Sequence, residues 1–382
     1  MGLFSRKKDN SAVIVQTARQ ENAFSFIGAK SPTSILERQL YDSLRETVPI
    51  IDAALSKLVR LVGGFNVICT NGAYQDSLND FLENVQVGLT GRGIHHFIDS
   101  FLDGLLTYGN AVGEILINNN SGQIAGLYNA SPWNIDVRQG KSPVDTQYYS
   151  RVGGLDWAKV KYPQLILFCA LNPPTSSPYG VSVLRGLPSI SNILMRIYEC
   201  IGQNFDRVGN VRYAVTYKPS GDMDKAYAKE RAMQIAQEWS RGMSSAQDGQ
   251  VRDFVSVGDV SIKVIGAENQ LIDTDIPVRQ LLEQIVAKLS IPPFLLGLNW
   301  STTERMSKQQ ADILTSELEF YRRQLTPVIR QISNTYLSTL GISGDVEVEW
   351  HNINLQDEVE LANARLANAQ AKEIEARICD EN

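Results

Sequence analysis

The sequence predicts an α+β protein that folds into two or more packed units. Its 382 residues exceed the roughly 100 to 200 residues of an ordinary domain. In several long segments apolar residues recur at intervals of three and four, which is typical of helices. Between these segments lie short runs of β-branched and aromatic residues bounded by Gly, Pro or Asn, which indicate strands. With 43% hydrophobic and 20% charged residues, the chain has enough apolar material for real cores.

Helices and strands alternate in the first half of the chain, after a polar stretch of about 30 residues that we expect to be a mobile arm. Apolar spacing predicts two helices over 34–62 that meet at a break at Pro49, because proline cannot continue a helix. Further helices are predicted over 75–84 and 93–106. Strands are predicted at 65–69, 110–117, 124–128, 135–137, 147–152 and 165–170. This half is therefore expected to form an α+β domain.

A proline-rich stretch at 172–180 separates that domain from two helices that bracket a small insert. The first helix carries an apolar stripe from Leu187 to Phe205. The second carries one from Val278 to Leu289 and is expected to end at Pro292. Within the insert, strands are predicted at 211–217, 253–257 and 261–265, and a helix at about 224–239.

The last part of the chain begins with a polar loop at 299–303 and continues as a long helix. The helix has an apolar stripe from Leu314 to Tyr336, and Pro327 is expected to kink it. Alternating residues at 346–350 predict a strand. An alanine-rich helix is predicted over 357–378.

Composition excludes several classes of protein. A net charge of -6 argues against a protein that grips nucleic acid over its whole surface, but not against one through which DNA merely passes. The four cysteines are scattered without a CxxC pair, so we expect neither a zinc site nor a secreted disulfide framework, and a reducing cytoplasm fits them. The longest apolar run, residues 165–171, is far shorter than a membrane span of ~20 residues.

Sequence motifs give no support for catalysis. Gly140-Lys141-Ser142 is similar to the end of a phosphate-binding loop, but Ile135 stands where that loop needs glycine. Gly91 and Gly93 lack the third glycine of a dinucleotide loop, so a turn that caps the next helix is the favoured interpretation. No GxSxG or HExxH motif occurs. We therefore expect no enzyme, no catalytic residue, no cofactor and no metal.

The histidines and the paired acids have structural explanations. His95 and His96 are adjacent on a predicted helix, where they point about 100 degrees apart and cannot easily share an ion. Structural roles are favoured for them and for His351. Asp273 and Asp275 stand just before a helix, where acids interact with the positive end of its dipole, so capping is favoured over an acid pair.

Two features near the polar loop leave alternatives open. Trp300 is either an exposed contact residue or packs back on its own helix. Arg305, Lys308, Arg322 and Arg323 share the long helix with several acids, and a mixed charge run usually indicates a solvated face. A channel lining is the alternative.

The order of these parts resembles that of the portal proteins of tailed double-stranded DNA phages, of the HK97-like type. Several short segments are also similar to recurrent portal segments. They are Tyr108-Gly109-Asn110-Ala111 before a strand with Glu114, Ser177-Pro178-Tyr179-Gly180-Val181-Ser182, residues 205–210 before a strand, and Ile291-Pro292-Pro293-Phe294-Leu295-Leu296-Gly297. The resemblance covers about residues 35–355.

The resemblance implies a division of the chain into the parts of a portal subunit. These are a flexible N-terminal arm (1–34), an α+β wing (35–185), a stem helix (186–209), a small α+β clip (210–273), a second stem helix (274–296), a tunnel loop (297–303), a long kinked helix with a wing strand (304–354) and a C-terminal crown helix (355–382).

The resemblance also implies a function and a location. Portal subunits form a ring, usually of twelve copies, at one capsid vertex of the virion, through which double-stranded DNA is packaged and ejected. The implied partners are the terminase large subunit, a head-tail adaptor and the major capsid or scaffolding protein, met in the host cytoplasm during assembly; no membrane is involved.

Site residues follow from the same resemblance. We expect Asn299, Trp300, Ser301, Thr302, Thr303, Arg305 and Lys308 to line the channel, and Trp239 and Arg241 in the clip to face the motor. A capsid or connector component that conducts no DNA and an uncharacterised hydrolase are the alternatives.

Overall fold

The computed structural model describes residues 35–353 except 143, 152–155, 176, 210–211, 219–226, 228, 231, 238–258, 266–273, 299–303 and 343. At some positions inside helices and strands it describes the backbone alone. The predicted arm and the predicted crown helix lie outside the described residues. Of the helix predicted at about 224–239 in the insert, residues 229–230 and 232–237 are described as helical. The chain divides into two compact units, residues 1–191 with 283–382 and residues 192–282.

The first unit is a mixed α+β structure whose helices largely match the predicted ones. They are α1 (Ile35–Thr47), α2 (Pro49–Val62), α3 (Gln75–Asn84), α4 (Ile94–Tyr108), the start of α5 (Leu187–Gly209), the end of α6 (Asp275–Lys288) and α7 (Glu304–Thr339). The break predicted at Pro49 is confirmed. Proline occupies the first position of α2, where its missing N–H has no helical partner to lose.

Short strands connect these helices. They are β1 (Phe65–Cys69), β2 (Gln86–Val87), β3 (Gly91–Arg92), β4 (Asn110–Ile117), β5 (Ile124–Ala130), β6 (Ile135–Gln139), β7 (Thr146–Ser150), β8 (Ala158–Lys159), β9 (Ile166–Ala170) and, much later in the chain, β12 (Val346–Trp350). The largest sheet has the order β3-β2-β5-β4-β9 and is antiparallel except between β2 and β5. A second sheet is β6-β7-β8, and β1 pairs with β12.

The second unit contains most of α5, the first half of α6, and the strands β10 (Arg212–Lys218) and β11 (Asp259–Ile265). The two strands pair antiparallel along seven residues each. This pair confirms two of the strands predicted in the insert. The third, predicted at 253–257, falls outside the described residues.

Helix α6 is shorter than the range 274–296 that the family resemblance implied for a second stem helix. It ends at Lys288, and a separate 3-10 turn covers Pro293–Leu296. The two consecutive prolines have no N–H to donate to the preceding turn, so the α-helix cannot continue through them. Ser290, with a φ of 52°, reverses the chain just before them.

The core of the first unit surrounds α4. This helix packs against α2, α3 and the strands β4 and β5. Its buried side chains are Ile94, Phe97, Ile98, Phe101, Leu102, Leu105 and Leu106. Each such side chain stabilises the fold by about 1.5–3 kcal/mol relative to exposure. Gly93, with a φ of 83°, caps the start of the helix, which confirms the turn predicted there.

Arg322 is buried, contrary to the solvated face predicted for the charged residues of the long helix. Its side chain is 3% exposed, and its Nε and Nη2 donate to the Val62 carbonyl oxygen at 2.9 and 2.7 Å. Nη1 pairs with Glu319 at 2.9 Å, and the guanidinium lies 5.2 Å from the centre of the Trp350 ring. The guanidinium thus joins α7 to the end of α2 and to β12. The neighbouring Arg323 is exposed, as predicted.

Two histidines pack around the β1–β12 pair. The His95 ring lies 4.6 Å from that of Phe65, and the backbone N–H of His351 donates to the Gly64 carbonyl at 3.0 Å. Although much of His95 stays exposed, its partial burial lowers its pKa; Asp99 opposes this shift and His351 adds to it. These contacts support the structural role predicted for His95 and His351.

Two of the segments that resemble portal sequences meet at one backbone junction. The Gly180 N–H donates to the Asn110 side chain at 2.8 Å, and the Leu171 N–H donates to the Gly109 carbonyl at 2.8 Å. Ser182 Oγ donates to the Thr107 carbonyl at 2.6 Å. A Cβ on Gly180 would overlap the Gly109 carbonyl oxygen and the Leu171 backbone. The approach of the two segments therefore requires glycine at this position.

Substitution of Gly180 by alanine should lower the free energy of unfolding by about 1–3 kcal/mol, because backbone atoms must move to admit the methyl group. Gly104→Ala is the matched control, since that glycine lies inside α4 with open space around its Cβ position. It should stabilise the protein by about 0.5–1 kcal/mol. Urea unfolding followed by circular dichroism measures both, and effects of the same sign and size would refute the tight junction.

Arg322→Met should lower the free energy of unfolding by about 1–3 kcal/mol, because the buried Val62 carbonyl loses its donors. Arg322→Lys should not restore stability, since an ammonium lacks the planar fork of donors. The control is Arg323→Ala at the adjacent exposed position, expected to change stability by less than about 0.5 kcal/mol. Equal losses at 322 and 323 in thermal and urea unfolding would argue against the anchoring role.

Candidate functional site

A 3-10 turn at Pro293–Leu296 lies between α6 and α7. The N–H of Gly297 donates to the Phe294 carbonyl at 3.2 Å, and the N–H of Leu298 donates to the Pro293 carbonyl at 3.1 Å. Gly297 has a φ of 76°, a left-handed conformation that glycine adopts without strain. The loop that follows therefore starts from a defined position and direction.

The predicted channel residues lie in and just after that loop. Asn299, Trp300, Ser301, Thr302 and Thr303 lie outside the described residues, so the two alternatives for Trp300 stay open. Arg305 is exposed in the first turn of α7. Lys308 lies on the same helix, but its side chain lies outside the described part.

Helix α7 is held along most of its length. Its fully buried side chains include Leu314, Leu318, Leu325, Ile329, Ile332 and Leu337. Trp350 Nε1 donates to Thr326 Oγ1 at 3.0 Å, and Gln331 Nε2 donates to the Gln164 carbonyl at 2.8 Å. The helix continues through Pro327 without ending, while the predicted kink stays a prediction. A helix fixed in this way is a rigid support for the loop at its start.

A groove of about 350 Å³ lies between the last turns of α6 and the first turns of α7. Its apolar lining includes the buried residues Val286 and Ile291 and the side chain of Ile313, which is 64% exposed. Glu317 also lines it. Gln310 contributes a buried Oε1 that has no hydrogen-bond partner within the described part of the chain. The groove is thus apolar inside, and its polar groups include carboxylates and an amide oxygen that only accept hydrogen bonds.

The second unit exposes some large apolar side chains of α5. Tyr198 and Phe205, seven residues apart and therefore on one face of the helix, are 43% and 62% exposed. Ile276 at the start of α6 is also exposed. Large apolar side chains that remain in water at helical spacing are typical of a surface that another molecule covers.

The small insert at 210–273, for which the family resemblance implied a clip, is described only in part. Its β10–β11 pair would be marginally stable alone, because two strands bury little apolar surface. The predicted motor-facing residues Trp239 and Arg241 lie outside the described residues.

Polar clusters of the first unit serve structure. Arg45 donates to Asp52 and to Asp103, both at 2.8 Å, and to Thr107 at 2.7 Å. Burial raises the pKa of Tyr108 to about 12, and its hydrogen bond to Asp42 adds to the shift. A phenol held in its neutral form in this way is not prepared for acid–base chemistry near neutral pH.

The remaining predicted site residues occupy ordinary structural positions. Gly140 and Lys141 lie in the turn between β6 and β7, where the Lys141 N–H donates to Asp145 at 2.9 Å. Asp275 begins α6, in the first turn where the helix dipole favours an acid, and Asp273 lies outside the described residues.

Within the described ranges, no three His, Cys, Asp or Glu side chains converge as a metal-ion site. A separate search of the same ranges finds no helix with the length and apolar character that a membrane span requires.

Solved structures with a similar fold come from gene transfer agent particles. One is in the neck of an empty particle, with a TM-score of 0.63 and 16% identity over 89% of this chain and 90% of that chain. Another is in the virion of the native particle, with a TM-score of 0.61 and 16% identity over 87% and 89%. An HK97 family phage portal protein from Corynebacterium diphtheriae gives a TM-score of 0.41 and 13% identity over 80% and 95%, which is too low to establish a shared fold. No curated protein matches the sequence.

The family model described as "Phage portal protein" matches residues 71–382. This range includes most of the first unit, the whole second unit and the loop between α6 and α7. It also includes the Gly109–Gly180 junction at which two of the portal-like segments meet. The chain therefore belongs to the phage portal protein family.

Proposed function

We propose that this chain is the subunit of a ring whose central channel conducts viral double-stranded DNA during packaging and ejection. The observation that carries the proposal is the exposed apolar surface of α5 formed by Tyr198 and Phe205. A closed ring repeats one heterologous contact, so each subunit needs two different adhesive faces. An exposed stripe on a helix of the second unit supplies one such face.

The number of copies is proposed to be twelve. A similar chain occurs in the neck of a native gene transfer agent particle computed with C12 symmetry, and another in the neck of an empty particle computed with C6 symmetry. These symmetries belong to those particles. A twelve-fold ring satisfies both, because C6 is a subgroup of C12.

The loop of Asn299, Trp300, Ser301, Thr302 and Thr303 is proposed to line the narrowest part of the channel, with Arg305 and Lys308 at its base. A hydrogen-bonded 3-10 turn precedes these residues, and α7, whose apolar side chains are buried, follows them. Both ends of the loop are therefore attached to ordered elements. Persistent phosphate contacts would resist sliding, because each adds a salt-dependent grip. A net charge of -6 and few basic residues near the loop fit a channel that lets DNA pass.

The other partners are proposed from family membership. The clip, through Trp239 and Arg241, would contact the terminase large subunit, whose ATPase would supply the energy of packaging. Members of the portal family are structural and non-enzymatic. A head-tail adaptor would follow the motor at the same vertex of the virion, and the capsid or scaffolding protein would meet the ring in the host cytoplasm during assembly.

Deletion of residues 298–302 should leave ring assembly intact and impair DNA packaging or retention, because these residues lie in sequence between the 3-10 turn and the start of α7 and are proposed to line the channel. Assembly is measured by electron microscopy of the purified rings, and packaging by the nuclease-protected DNA per particle. The control replaces Asn119 by glycine in the exposed turn between β4 and β5 and should change neither result. Normal packaging and retention in the deletion variant would contradict the loop assignment.

Phe205→Asp should weaken ring assembly, because it places a charge on the apolar stripe of α5. Burial of a phenylalanine contributes about 1.5–3 kcal/mol, so the concentration needed for assembly should rise at least about tenfold. The matched control is Val144→Asp, at a 90% exposed position in the turn between β6 and β7. Light scattering across concentrations measures assembly, and unchanged assembly at 205 would contradict the ring surface.

A further inference from the structure

We propose that residues 3–8 of this chain dock in the groove between α6 and α7 of the same subunit. Leu3 and Phe4 would cover the apolar lining, and Arg6, Lys7 and Lys8 would face the carboxylates at the edge. The proposal does not depend on the channel function.

The groove needs an apolar occupant. Val286 and Ile291 are buried in its wall, yet Ile313 is 64% exposed on the facing turn of α7. Met306, seven residues earlier on the same face of the helix, is also exposed. A volume of about 350 Å³ accommodates two large side chains. An occupant with adjacent apolar residues would remove this surface from water.

The groove also favours a cationic or donor-rich occupant. Glu317 contributes a carboxylate to its lining. Buried polar atoms are normally hydrogen-bonded, so the Gln310 Oε1 without a partner in the described part of the chain calls for a donor. Since both groups accept hydrogen bonds, lysine or arginine side chains fit them and acidic ones do not.

Residues 3–8 combine these two properties. Arg6-Lys7-Lys8 is the only run of three consecutive basic residues in the sequence, and Leu3-Phe4 lies just before it. The C-terminal stretch from 357 to 381 is a poor alternative, because it carries seven acidic and three basic residues. Charge complementarity therefore selects the first segment over the last.

The segment can reach the groove within its own subunit. The 26 residues from Asp9 to Ser34 separate it from α1, and a chain of that length spans ~28 Å on average. Helix α1 packs on α2, and α2 contacts the 3-10 turn at Pro293–Leu296 that borders the groove. A tether of this length gives an effective concentration on the order of millimolar, so even a weak contact is populated.

Disulfide trapping in the full-length protein tests the docking. Phe4→Cys is combined with Ile313→Cys after Cys200→Ser removes the exposed thiol of α5 and Cys379→Ser removes the thiol near the end of the sequence. The control pair is Phe4→Cys with Val144→Cys, an apolar position of even greater exposure. Under mild oxidation the 4–313 disulfide should form at least tenfold faster than the 4–144 disulfide, within one chain. Equal rates would overturn the docking, and a product that joins two chains would overturn its assignment to the same subunit.

A charge exchange tests the electrostatic part independently. Glu317→Lys should slow formation of the 4–313 disulfide about threefold or more at low salt, and replacement of Arg6, Lys7 and Lys8 by glutamate in that background should restore most of the rate. Circular dichroism checks that each variant is folded. If the reversed segment gives no recovery, the pairing of residues 6–8 with Glu317 is wrong.

Discussion

The buried guanidinium of Arg322 is the interaction on which the arrangement of the first unit depends. Arginine cannot lose its proton in a protein, so a guanidinium that is 3% exposed needs fixed acceptors around it. The Val62 carbonyl at the end of α2 provides one, and the ring of Trp350 covers the cation. Helix α7 also carries Arg305 and Lys308, which are proposed to lie at the base of the channel. The contacts of Arg322 therefore help to fix the helix on which these two residues lie.

The segments that resemble portal sequences acquire a physical meaning at the Gly109–Gly180 junction. There the chain before β4 and the chain after the proline-rich turn approach until backbone groups of each bond directly to the other. Glycine is required at 180, where the two backbones come closest. The Asn110 side chain accepts the hydrogen bond of the Gly180 N–H. Backbone packing therefore explains why glycine stands at 180 and asparagine at 110 in these segments.

Alternation and turn residues allowed several elements to be predicted from the sequence with their observed bounds, among them β1, α3 and β12. Local rules could not predict the burial of Arg322, because its partner Val62 lies 260 residues away and its neighbours have the pattern of a solvated helix. The groove between α6 and α7 was missed for a similar reason, since Gln310, Ile313 and Glu317 acquire a common role only when α6 packs opposite them. For the loop at 299–303 the sequence supplied polarity and position alone, because the residues proposed for it carry no pattern that names a partner.

The pairing of β1 with β12 has a consequence for the order in which the chain acquires its structure. Phe65 of β1 faces Trp350 of β12 across this two-stranded sheet. During synthesis β1 therefore has no strand partner until β12 has been translated. Contacts so distant in sequence form slowly, because a long loop must close before they contribute free energy. The second unit, which lies wholly between these strands, can fold while the ribosome is still extending the chain. The first unit therefore completes its β1–β12 sheet only after the whole of the second unit has been synthesised.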